Sequence, residues 1–331
     1  MQCVDRHSGA GLSMLTERDD LALRIERRAS LARRSSLRIG GNVQLWAEVG
    51  STEALGAVLQ TAADDGLSVY VVGLGSNVLF PDEGLDGIAI RLVGDLADWE
   101  IASEEEDRAR VRVGGGTVNA HLVRGLLEAE WVGAEFLRLI PGTFGGAVAL
   151  NAGTKEAELS SILTDVDLVV PTGDGEIEER RVPGDELGLD YRSSELPEGA
   201  VVVGGRIEVK RGDVESARER MEADRERRDR TQPYKLASVG STFANPEGDY
   251  AGRLIDEAGL KGERIGGARI SETHANFFIN EDDATAEDFL RLMALARCEV
   301  RRQFGVELRP EVRFVGFDGM QRIEAFEKDL C

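Results

Sequence analysis

The stretch IPGTFGGAVALNAG, residues 140–153, places a turn of small residues on either side of the apolar run AVAL. Glycine has no Cβ, so a backbone rich in glycine can turn sharply or lie directly against a ligand. Two structures fit this pattern: a backbone surface that packs against a flat ring system or a diphosphate, and a tight site of helix packing. On the first interpretation the contact residues are Pro141, Gly142, Thr143, Gly145, Gly146, Asn151 and Gly153.

A second glycine-rich segment, GLGSN at residues 73–77, directly follows an apolar run. In such a turn the backbone N–H groups can approach an anion, and Ser and Asn side chains add donors, as a pyrophosphate requires. The segment is not the dinucleotide fingerprint G-x-G-x-x-G, because no third glycine stands at the required position. Gly73, Gly75, Ser76 and Asn77 are therefore candidates for cofactor binding, with a purely structural turn as the alternative.

Predicted helices and strands alternate, with glycines at their junctions, through the first half of the chain. The spacing of leucine and isoleucine predicts a helix over residues 16–34, and the stretch from Thr52 to Gly66 is typical of a capped helix. The next elements are strands at SVYVV (68–72), GIAIRL (87–92) and RARVRVGGGT (108–117), and a helix at VNAHLVRGLLEAE (118–130). This order indicates a mixed α+β nucleotide-binding region.

A hairpin and a charged helix precede the last part of the chain. Two β-rich arms within residues 165–182 flank Gly-Asp-Gly, which is a hairpin signature. Residues 213–230 carry many charges and few apolar anchors, so we expect a solvated connecting helix. Further on, the predicted elements are strands at 235–243, 268–280 and 307–316, a helix at 251–259, and a helix over 284–304 with Thr285 as N-cap and Asp288 three residues on.

Composition excludes several classes of partner. The chain has 40 basic and 61 acidic residues, a net charge of −21, and a surface of that sign repels nucleic acid and anionic lipid. Because no apolar run approaches the roughly 18 residues that span a bilayer, membrane insertion is not expected. Cys3, Cys298 and Cys331 cannot all pair and predict no disulfide framework, which favours a cytoplasmic location. With three histidines in the chain, no metal site is expected.

Several polar side chains stand in glycine-rich or apolar surroundings. Each has an ordinary structural explanation when taken alone: a surface arginine, a turn serine, a satisfied core histidine or an ion pair on an edge strand. Glu311 and Arg313 are expected to point the same way from one strand, because strand side chains alternate. The candidates are Arg192, Ser241, Asn245, His274, Asn276, Glu311 and Arg313.

The motifs, taken together and in order, resemble those of the UDP-N-acetylenolpyruvoylglucosamine reductase family. The matching blocks are LRIGG (37–41), GLGSNVLF (73–80), LIPGTFGGAVALNAG (139–153), YRSS (191–194), GSTFANP (240–246), AGLKGERIGGARISETHANFFIN (258–280) and LRPEVRFVG (308–316). The absence of an inserted loop between Lys261 and His274 resembles the shorter, second structural type of the family.

The resemblance implies an α+β fold, with a two-subdomain FAD-binding region of the vanillyl-alcohol-oxidase (PCMH) type and a C-terminal α+β substrate domain. It implies non-covalent FAD, with NADPH as co-substrate and a UDP-sugar as substrate. The protein is expected to be a monomer. The family's reaction moves a hydride from NADPH to the flavin, and from flavin N5 to the enolpyruvyl ether of UDP-N-acetylglucosamine. The product is UDP-N-acetylmuramate, a precursor of peptidoglycan.

Domain boundaries follow from the same comparison of motifs and elements. The expected division is a disordered extension at 1–15, FAD-binding subdomains at 16–98 and 99–212, a connecting helix at 213–230 and a substrate domain at 231–320. A chain of 331 residues is long for a single core, which agrees with such a division.

Residue roles carry over by motif. Ser241 would protonate the carbon left electron-rich by hydride addition, while Arg192 and Glu311 would stabilise the enolate-like intermediate. The resemblance therefore requires these three side chains to converge from separate segments. The substrate-binding positions that match in the same way are Lys235, Asn245, His274 and Arg313.

Some residues depart from the family's pattern. Residues 154–156 replace the tyrosine that often follows the Asn-Ala-Gly turn, and Ser35-Ser36 stand where Asn-Thr is common, so individual flavin contacts differ. Two alternatives are open: a flavin oxidoreductase of the same fold that acts on a different alcohol or sugar, and a non-catalytic nucleotide-binding relative. The joint presence of the arginine, serine and glutamate opposes both.

Overall fold

Short strands and helices follow one another along the part of the chain that the computed structural model describes, residues 22–172 and 176–331. The strands are β1 (Leu23–Ser30), β2 (Asn42–Val49), β3 (Val69–Val71), β4 (Val78–Leu79), β5 (Leu85–Leu92), β6 (Trp99–Glu104), β7 (Arg108–Gly114), β8 (Trp131–Val132), β9 (Leu163–Pro171), β10 (Ile177–Pro183), β11 (Val201–Arg211), β12 (Ala237–Ser238), β13 (Arg264–Ile265), β14 (Ala268–Ile270), β15 (Phe278–Asn280) and β16 (Arg313–Phe314). The α-helices are α1 (Thr52–Asp64), α2 (Asn119–Glu128), α3 (Phe144–Ala149), α4 (Val214–Thr231), α5 (Ala251–Glu257), α6 (Ala286–Phe304) and α7 (Gly319–Leu330).

The chain divides into two compact units, each assembled from separate segments. Of the described residues, the first unit takes in 22–28, 44–73, 86–172 and 176–222, and the second takes in 29–43, 74–85 and 223–331. Two segments from the N-terminal part of the chain therefore belong to the same unit as its C-terminal part. The contiguous domain boundaries expected from the sequence stay a prediction.

Two sheets form most of the first unit. The strand order is β1-β2-β5-β3 in one sheet and β10-β9-β11-β7-β6 in the other, where β8 also pairs with β11. The strands of the second sheet are antiparallel, whereas β3 and β5 of the first are parallel. Along β7, Ala109, Val111 and Val113 are buried while Arg108 and Arg110 are exposed, as expected of a strand with one face on the core.

Two local predictions for the first unit are confirmed. At the start of α1 the side chain of Ser51 accepts a hydrogen bond of 3.1 Å from the backbone N–H of Ala54. Beyond its end Gly66 has φ +65°, a conformation that glycine adopts without steric penalty. The predicted hairpin is β9 and β10, which pair antiparallel, although residues 173–175 of its turn lie outside the described ranges.

The first predicted helix is wrong over the residues where it can be compared. Residues 23–30 form strand β1, and a 3-10 turn follows at Ala32–Arg34. Leu23 and Ile25 alternate with exposed charged residues and pack against the core, a period of two that suits a strand paired with β2. The rest of the prediction, residues 16–21, lies outside the described ranges.

A four-stranded sheet and helix α6 form the core of the second unit. The strand order is β12-β15-β14-β13, and all neighbours are antiparallel. Helix α6 buries Phe289, Leu290 and Met293 in this core. As predicted, Thr285 and Asp288 close a capping box at its start, since the side chain of each accepts the backbone N–H of the other at 3.0 Å.

The strand predicted over residues 268–280 is interrupted by a turn between β14 and β15. The backbone N–H of Thr273 donates to Ser271 Oγ at 3.1 Å, and that of Asn276 donates to His274 Nδ1 at 3.2 Å. Polar side chains that bond the backbone nearby compete with a strand ladder, which is why the alternating pattern does not continue as a strand.

The strand predicted over residues 307–316 is also shorter than expected. Only Arg313–Phe314 pairs regularly, in parallel with β4, and Glu311 precedes that strand. The alternation of side chains nevertheless holds locally, since Val312 is buried and its two neighbours are not.

The charged helix predicted at 213–230 is α4, in which Ala217 is buried and the other side chains are exposed or half-buried. This distribution agrees with a solvated helix. Within the described ranges, no helix combines the length and the apolar character needed to cross a bilayer.

A disulfide and a buried ion pair join the last helix, α7, to α6. Arg297 donates to Glu327 at 2.5 Å, and the two side chains are only 4% and 9% exposed. Cys298 and Cys331 are bonded, with Cα atoms 5.9 Å apart. The sequence predicted no disulfide framework, but two of the three cysteines do pair, because α7 returns along α6 and brings the last residue beside Cys298.

Candidate active site

A cavity of about 150 Å³ lies within the first unit, where three small-residue turns meet. One turn follows β3, another follows β7, and the third opens α3. The small residues that line it are Gly73, Gly115, Gly116, Thr143, Gly145 and Gly146, and the remaining wall is mainly aliphatic. Four of the residues predicted to bind a cofactor are thus brought together in one place.

At two of these positions the surrounding backbone leaves no room for a side chain. A Cβ at Gly115 would collide with the carbonyl oxygen of Val202, and one at Gly116 with that of Leu92. This part of the cavity wall is therefore bare backbone, which can approach a ligand closely. Gly115 was not among the candidates from sequence, although its place in a glycine triplet after a predicted strand was a usable signal.

Asn119, which the sequence did not single out, holds the Pro141–Gly142 turn in place. Its side-chain Nδ2 donates to the carbonyl oxygen of Ile140 and its backbone N–H to that of Gly142, both at 3.1 Å. The residue is 1% exposed, and its Oδ1 is buried without a hydrogen-bond partner among the described residues. An orphaned acceptor of this kind is costly unless a ligand or a water donates to it.

Arg192 lies in a tight turn of the first unit, in the left-handed conformation with φ +58°. A non-glycine residue adopts this conformation at a cost of the order of 1 kcal/mol or more, and such strain is frequent at functional positions. Two backbone bonds of 3.1 Å between Asp190 and Ser193 close the turn, and the Arg192 guanidinium donates to the carbonyl oxygen of Gly153 at 2.9 Å.

The Asn-Ala-Gly turn, predicted to contact a cofactor, supports the Arg192 turn. Asn151 is fully buried, and its Nδ2 donates to the carbonyl oxygen of Asp190 at 3.3 Å while its Oδ1 accepts from the backbone of Ser160 at 3.0 Å. Gly153 supplies the carbonyl oxygen that receives the arginine. A contact of either residue with a cofactor stays a prediction.

In the second unit, the segments that carry Ser241 and Glu311 lie side by side. The backbone N–H of Glu311 donates to the carbonyl oxygen of Thr242, the residue after Ser241, at 2.9 Å. A second bond of 2.9 Å joins the N–H of Ala244 to the carbonyl oxygen of Arg309. Ser241 and Glu311 are both half-buried. The pairing of their segments brings the predicted proton donor close to Glu311, one of the two residues predicted to stabilise the intermediate.

Gly75, Ser76 and Asn77 belong to the second unit, whereas Gly73 belongs to the first. Gly75 has φ +66° and lies against the backbone of residues 34–35, where any Cβ would overlap it. The residues of one predicted cofactor motif therefore have separate structural surroundings, and their cofactor contacts stay a prediction.

The side chains of Asn245 and His274, two of the predicted substrate residues, accept hydrogen bonds from nearby backbone N–H groups. Asn245 Oδ1 accepts from the backbone of Ala251 at 3.0 Å, at the start of α5. Burial lowers the pKa of His274 from its usual 6.5, and the Lys261 ammonium lowers that pKa further. Because His274 Nδ1 accepts from the backbone N–H of Asn276, the neutral imidazole carries its proton on Nε2 and can donate it to a ligand.

The other two substrate candidates are basic residues of the second unit. Lys235 precedes β12, and Arg313 is in β16. Desolvation, and then the like charge of Arg309, lowers the pKa of Arg313, while Glu311 opposes the shift. Arg309 and Arg313 line an open groove of about 960 Å³ in this unit, and Phe314 and Phe317 line the same groove.

Comparison with known proteins identifies the family. The model of an FAD binding domain matches residues 43–179, and that of the C-terminal domain of UDP-N-acetylenolpyruvoylglucosamine reductase matches residues 232–315. The reductase named for Anaeromyxobacter sp. (strain Fw109-5) is 41% identical over 88% of this chain and 88% of its own length. The chain belongs to the UDP-N-acetylenolpyruvoylglucosamine reductase family. The resemblance stated from the motifs is thereby confirmed.

Other members of the reductase family support the same assignment. The Myxococcus xanthus protein is 41% identical over 86% of this chain and 90% of its own. The crystal structure of the Thermus caldophilus reductase superposes with a TM-score of 0.74 at 35% identity, and covers 88% of this chain and 99% of the other. The predicted α+β fold, an FAD-binding region followed by a C-terminal substrate domain, is confirmed.

The cavity of the first unit fits a part of the FAD that this family binds. Its volume, about 150 Å³, is below the roughly 300–1,000 Å³ of a pocket for a whole ligand, so it would take a segment such as the diphosphate or the ribityl chain. Bare glycine backbone and the Thr143 hydroxyl suit such a polar segment. The buried Asn119 Oδ1 lies beside the predicted contact turn and suits a hydroxyl donor.

The three predicted catalytic residues are divided between the units. Arg192 belongs to the first, and Ser241 and Glu311 belong to the second. The pairing of the last two segments is a structural observation, whereas the convergence of Arg192 with them stays a prediction.

Proposed function

We propose that this protein catalyses the NADPH-dependent reduction of UDP-N-acetylglucosamine enolpyruvate to UDP-N-acetylmuramate. The observation that carries the proposal is 41% identity, over 88% of both chains, to a protein named as this reductase. The full set of predicted catalytic residues supports it, since a relative that kept only the fold would have no reason to retain all three. A cytoplasmic location, a monomeric state and NADPH as the co-substrate are part of the proposal.

FAD held in part by the glycine-lined cavity of the first unit would supply the redox chemistry, the transfer of a hydride from NADPH to the enolpyruvyl carbon of the substrate. The protein must then stabilise the negative charge that hydride addition places on the substrate. The guanidinium of Arg192 is a permanent planar cation suited to the substrate carboxylate as it gains enolate character. Its anchorage on the Gly153 carbonyl oxygen at 2.9 Å limits how far it can move.

Ser241 completes the reaction by giving a proton to the electron-rich carbon. A hydroxyl is a weak acid in water, so it needs a polarising neighbour and shelter from solvent. The segment that contains Glu311 runs beside that of Ser241, and the backbone N–H of Glu311 donates to the carbonyl oxygen of Thr242 at 2.9 Å. We assign to Glu311 the polarisation of the serine and the return of its proton.

Donors of the second unit would hold the diphosphate of the UDP-sugar. With a net charge of −21, the whole-protein field opposes an anionic substrate, so local groups must supply the attraction. Lys235 and Arg313 are cations, and His274 can donate from Nε2. Asn245 keeps its Nδ2 available as a further amide donor while its Oδ1 caps α5.

The proposed function is tested with the purified protein. We expect a yellow protein whose FAD is released by acid precipitation, and which oxidises NADPH only when the enolpyruvyl UDP-sugar is present. Mass spectrometry should show a product heavier than the substrate by two hydrogens. A colourless protein that takes up no FAD would contradict the flavin assignment. Flavin binding without turnover on this substrate, but with turnover on another sugar or alcohol, would favour a different oxidoreductase of the same fold.

A further inference from the structure

We propose that Asn77 is a positioning residue. Its hydrogen bonds fix the position of the Glu311 segment along its axis, and proton transfer from Ser241 requires that position. The inference rests on the proposed function and deepens it. The motif pattern suggested a contact with the cofactor for Asn77, whereas the structure gives its side chain a partner in the catalytic segment.

Asn77 holds the segment 311–313 with two hydrogen bonds. Its side-chain Nδ2 donates to the carbonyl oxygen of Glu311 at 3.0 Å. Its own carbonyl oxygen accepts the backbone N–H of Arg313 at 3.0 Å. The two bonds meet the chain on either side of residue 312, so sliding of this segment along its axis breaks both of them.

Backbone hydrogen bonds also fix the chain on both sides of these two bonds. Downstream, β16 runs parallel to β4, with Arg313 opposite Val78, and the N–H of Val315 donates to the carbonyl oxygen of Leu79 at 3.1 Å. The other backbone edge of Glu311 is fixed by Thr242, whose carbonyl oxygen accepts its N–H at 2.9 Å. Glu311 is thus held between the Ser241 segment and Asn77.

The regular pairing of β16 with β4 begins at Arg313. Ahead of that pairing, the side-chain amide of Asn77 supplies a donor to the carbonyl oxygen of Glu311. An aspartate at position 77 keeps the shape but offers two acceptors to a carbonyl oxygen, so it replaces an attraction by a repulsion. The Glu311 backbone should then move away from residue 77.

The expected effect is on one half-reaction. A displacement of about 1 Å in a catalytic group can lower the rate about 100-fold. We therefore expect Asn77→Asp and Asn77→Ala to slow the oxidation of reduced flavin by the enolpyruvyl substrate by about 10- to 100-fold. Reduction of the flavin by NADPH does not use Glu311 and should stay within about twofold of wild type.

Asn280→Asp is the matched control. The Nδ2 of Asn280 also donates to a backbone carbonyl oxygen of the second unit, that of Leu37 at 3.0 Å, which lies outside the segment 311–313. This variant should lose a similar amount of thermal stability and keep both half-reactions. The pH profile of the second half-reaction should shift in the two Asn77 variants and remain that of wild type in Asn280→Asp.

Three outcomes would overturn the proposal. The first is that the Asn77 variants react with the enolpyruvyl substrate at the wild-type rate. The second is that they lose FAD and regain full activity when FAD is added in excess, which indicates a cofactor contact. The third is that Asn280→Asp slows the second half-reaction as much as the Asn77 variants do, which indicates general destabilisation. If wild type itself does not react, the proposed function fails. The positioning claim is then decided by ¹³C NMR titration of the Glu311 carboxyl, which must differ between wild type and Asn77→Ala.

Discussion

At the scale of the residue, two asparagines join the glycine-rich turns to the predicted catalytic residues. Asn151 supports the turn of Arg192 through the carbonyl oxygen of Asp190 at 3.3 Å, and Asn77 holds the carbonyl oxygen of Glu311 at 3.0 Å. The motifs in the sequence were sufficient to select these residues. They could not reveal which backbone group each amide would meet, because the partners of Asn77 lie more than two hundred positions along the chain.

Replacement of Ser241 by alanine should separate the two half-reactions. We expect flavin reduction by NADPH to stay unchanged and the subsequent reaction with the enolpyruvyl substrate to slow by about 10²- to 10⁴-fold, since a general acid typically contributes that much. Stopped-flow absorbance follows both steps, and Ser103→Ala on the exposed part of β6 is the control. Oxidation of the reduced Ser241→Ala enzyme at the wild-type rate would show that this serine is only a turn residue.

His274 should titrate below its usual pKa of 6.5, because burial and the Lys261 charge both oppose protonation. Stability is then at its full value above about pH 6.5 and falls as the pH drops through the lowered pKa, since the unfolded chain takes the proton more readily. Lys261→Gln should raise this pKa without restoring 6.5, because burial is the larger cause.

NMR titration of the imidazole measures this pKa directly. Lys328→Gln, a change of one exposed lysine in α7, is the control and should leave it in place. An unchanged pKa in Lys261→Gln would mean that the ammonium does not act on the histidine.

At the scale of the element, helices with capping signals were predicted correctly and several strands were not. Helices α1 and α6 begin at capping residues that the sequence shows directly, Ser51 and Thr285. Strand β1 was predicted as a helix because Leu21 and Ile25, four positions apart, suit a helix. Leu23 and Ile25, two positions apart, suit a strand, and pairing with β2 decided the outcome. The turn at residues 271–276 depends on polar side chains that bond their own backbone, which periodicity does not register.

The contact between α6 and α7 yields a prediction of stability. Glu327→Gln should destabilise the second unit by about 3 kcal/mol, because it removes the charge that compensates a buried guanidinium. Arg297 keeps Glu307 at 2.9 Å and the carbonyl oxygen of Leu308, so the loss should not be larger. Chemical denaturation measures the change in free energy of unfolding, with Glu324→Gln, an exposed residue of the same helix, as the control. Equal effects of the two substitutions would contradict a buried ion pair.

At the scale of the whole molecule, the net charge of −21 should make stability depend on salt. Repulsion among excess carboxylates destabilises the compact state, and salt at about 1 M reduces the screening length to about 3 Å. We expect the melting temperature to rise between low salt and about 1 M potassium chloride, although surface ion pairs weaken at the same time. Calorimetry with sucrose at equal osmolality controls for exclusion effects. A melting temperature that falls with salt would mean that attraction between surface charges outweighs their repulsion.

The division into two units explains what the sequence could not predict at this scale. The segments 29–43 and 74–85 belong with the C-terminal part of the chain, and that association depends on long-range packing of residues such as Leu37 and Leu79 in the second core. The family, by contrast, was recognisable from the order of its motifs, because each motif is local and needs no knowledge of packing.

Hydride transfer from the bound flavin to the enolpyruvyl UDP-sugar can be observed in a single turnover. The purified holoenzyme is reduced without oxygen and mixed with one equivalent of UDP-N-acetylglucosamine enolpyruvate, and the flavin absorbance is followed. We expect rapid return of the oxidised flavin spectrum and formation of one equivalent of UDP-N-acetylmuramate. A flavin that stays reduced in the presence of this substrate, while molecular oxygen or another acceptor reoxidises it, would contradict the proposed reaction.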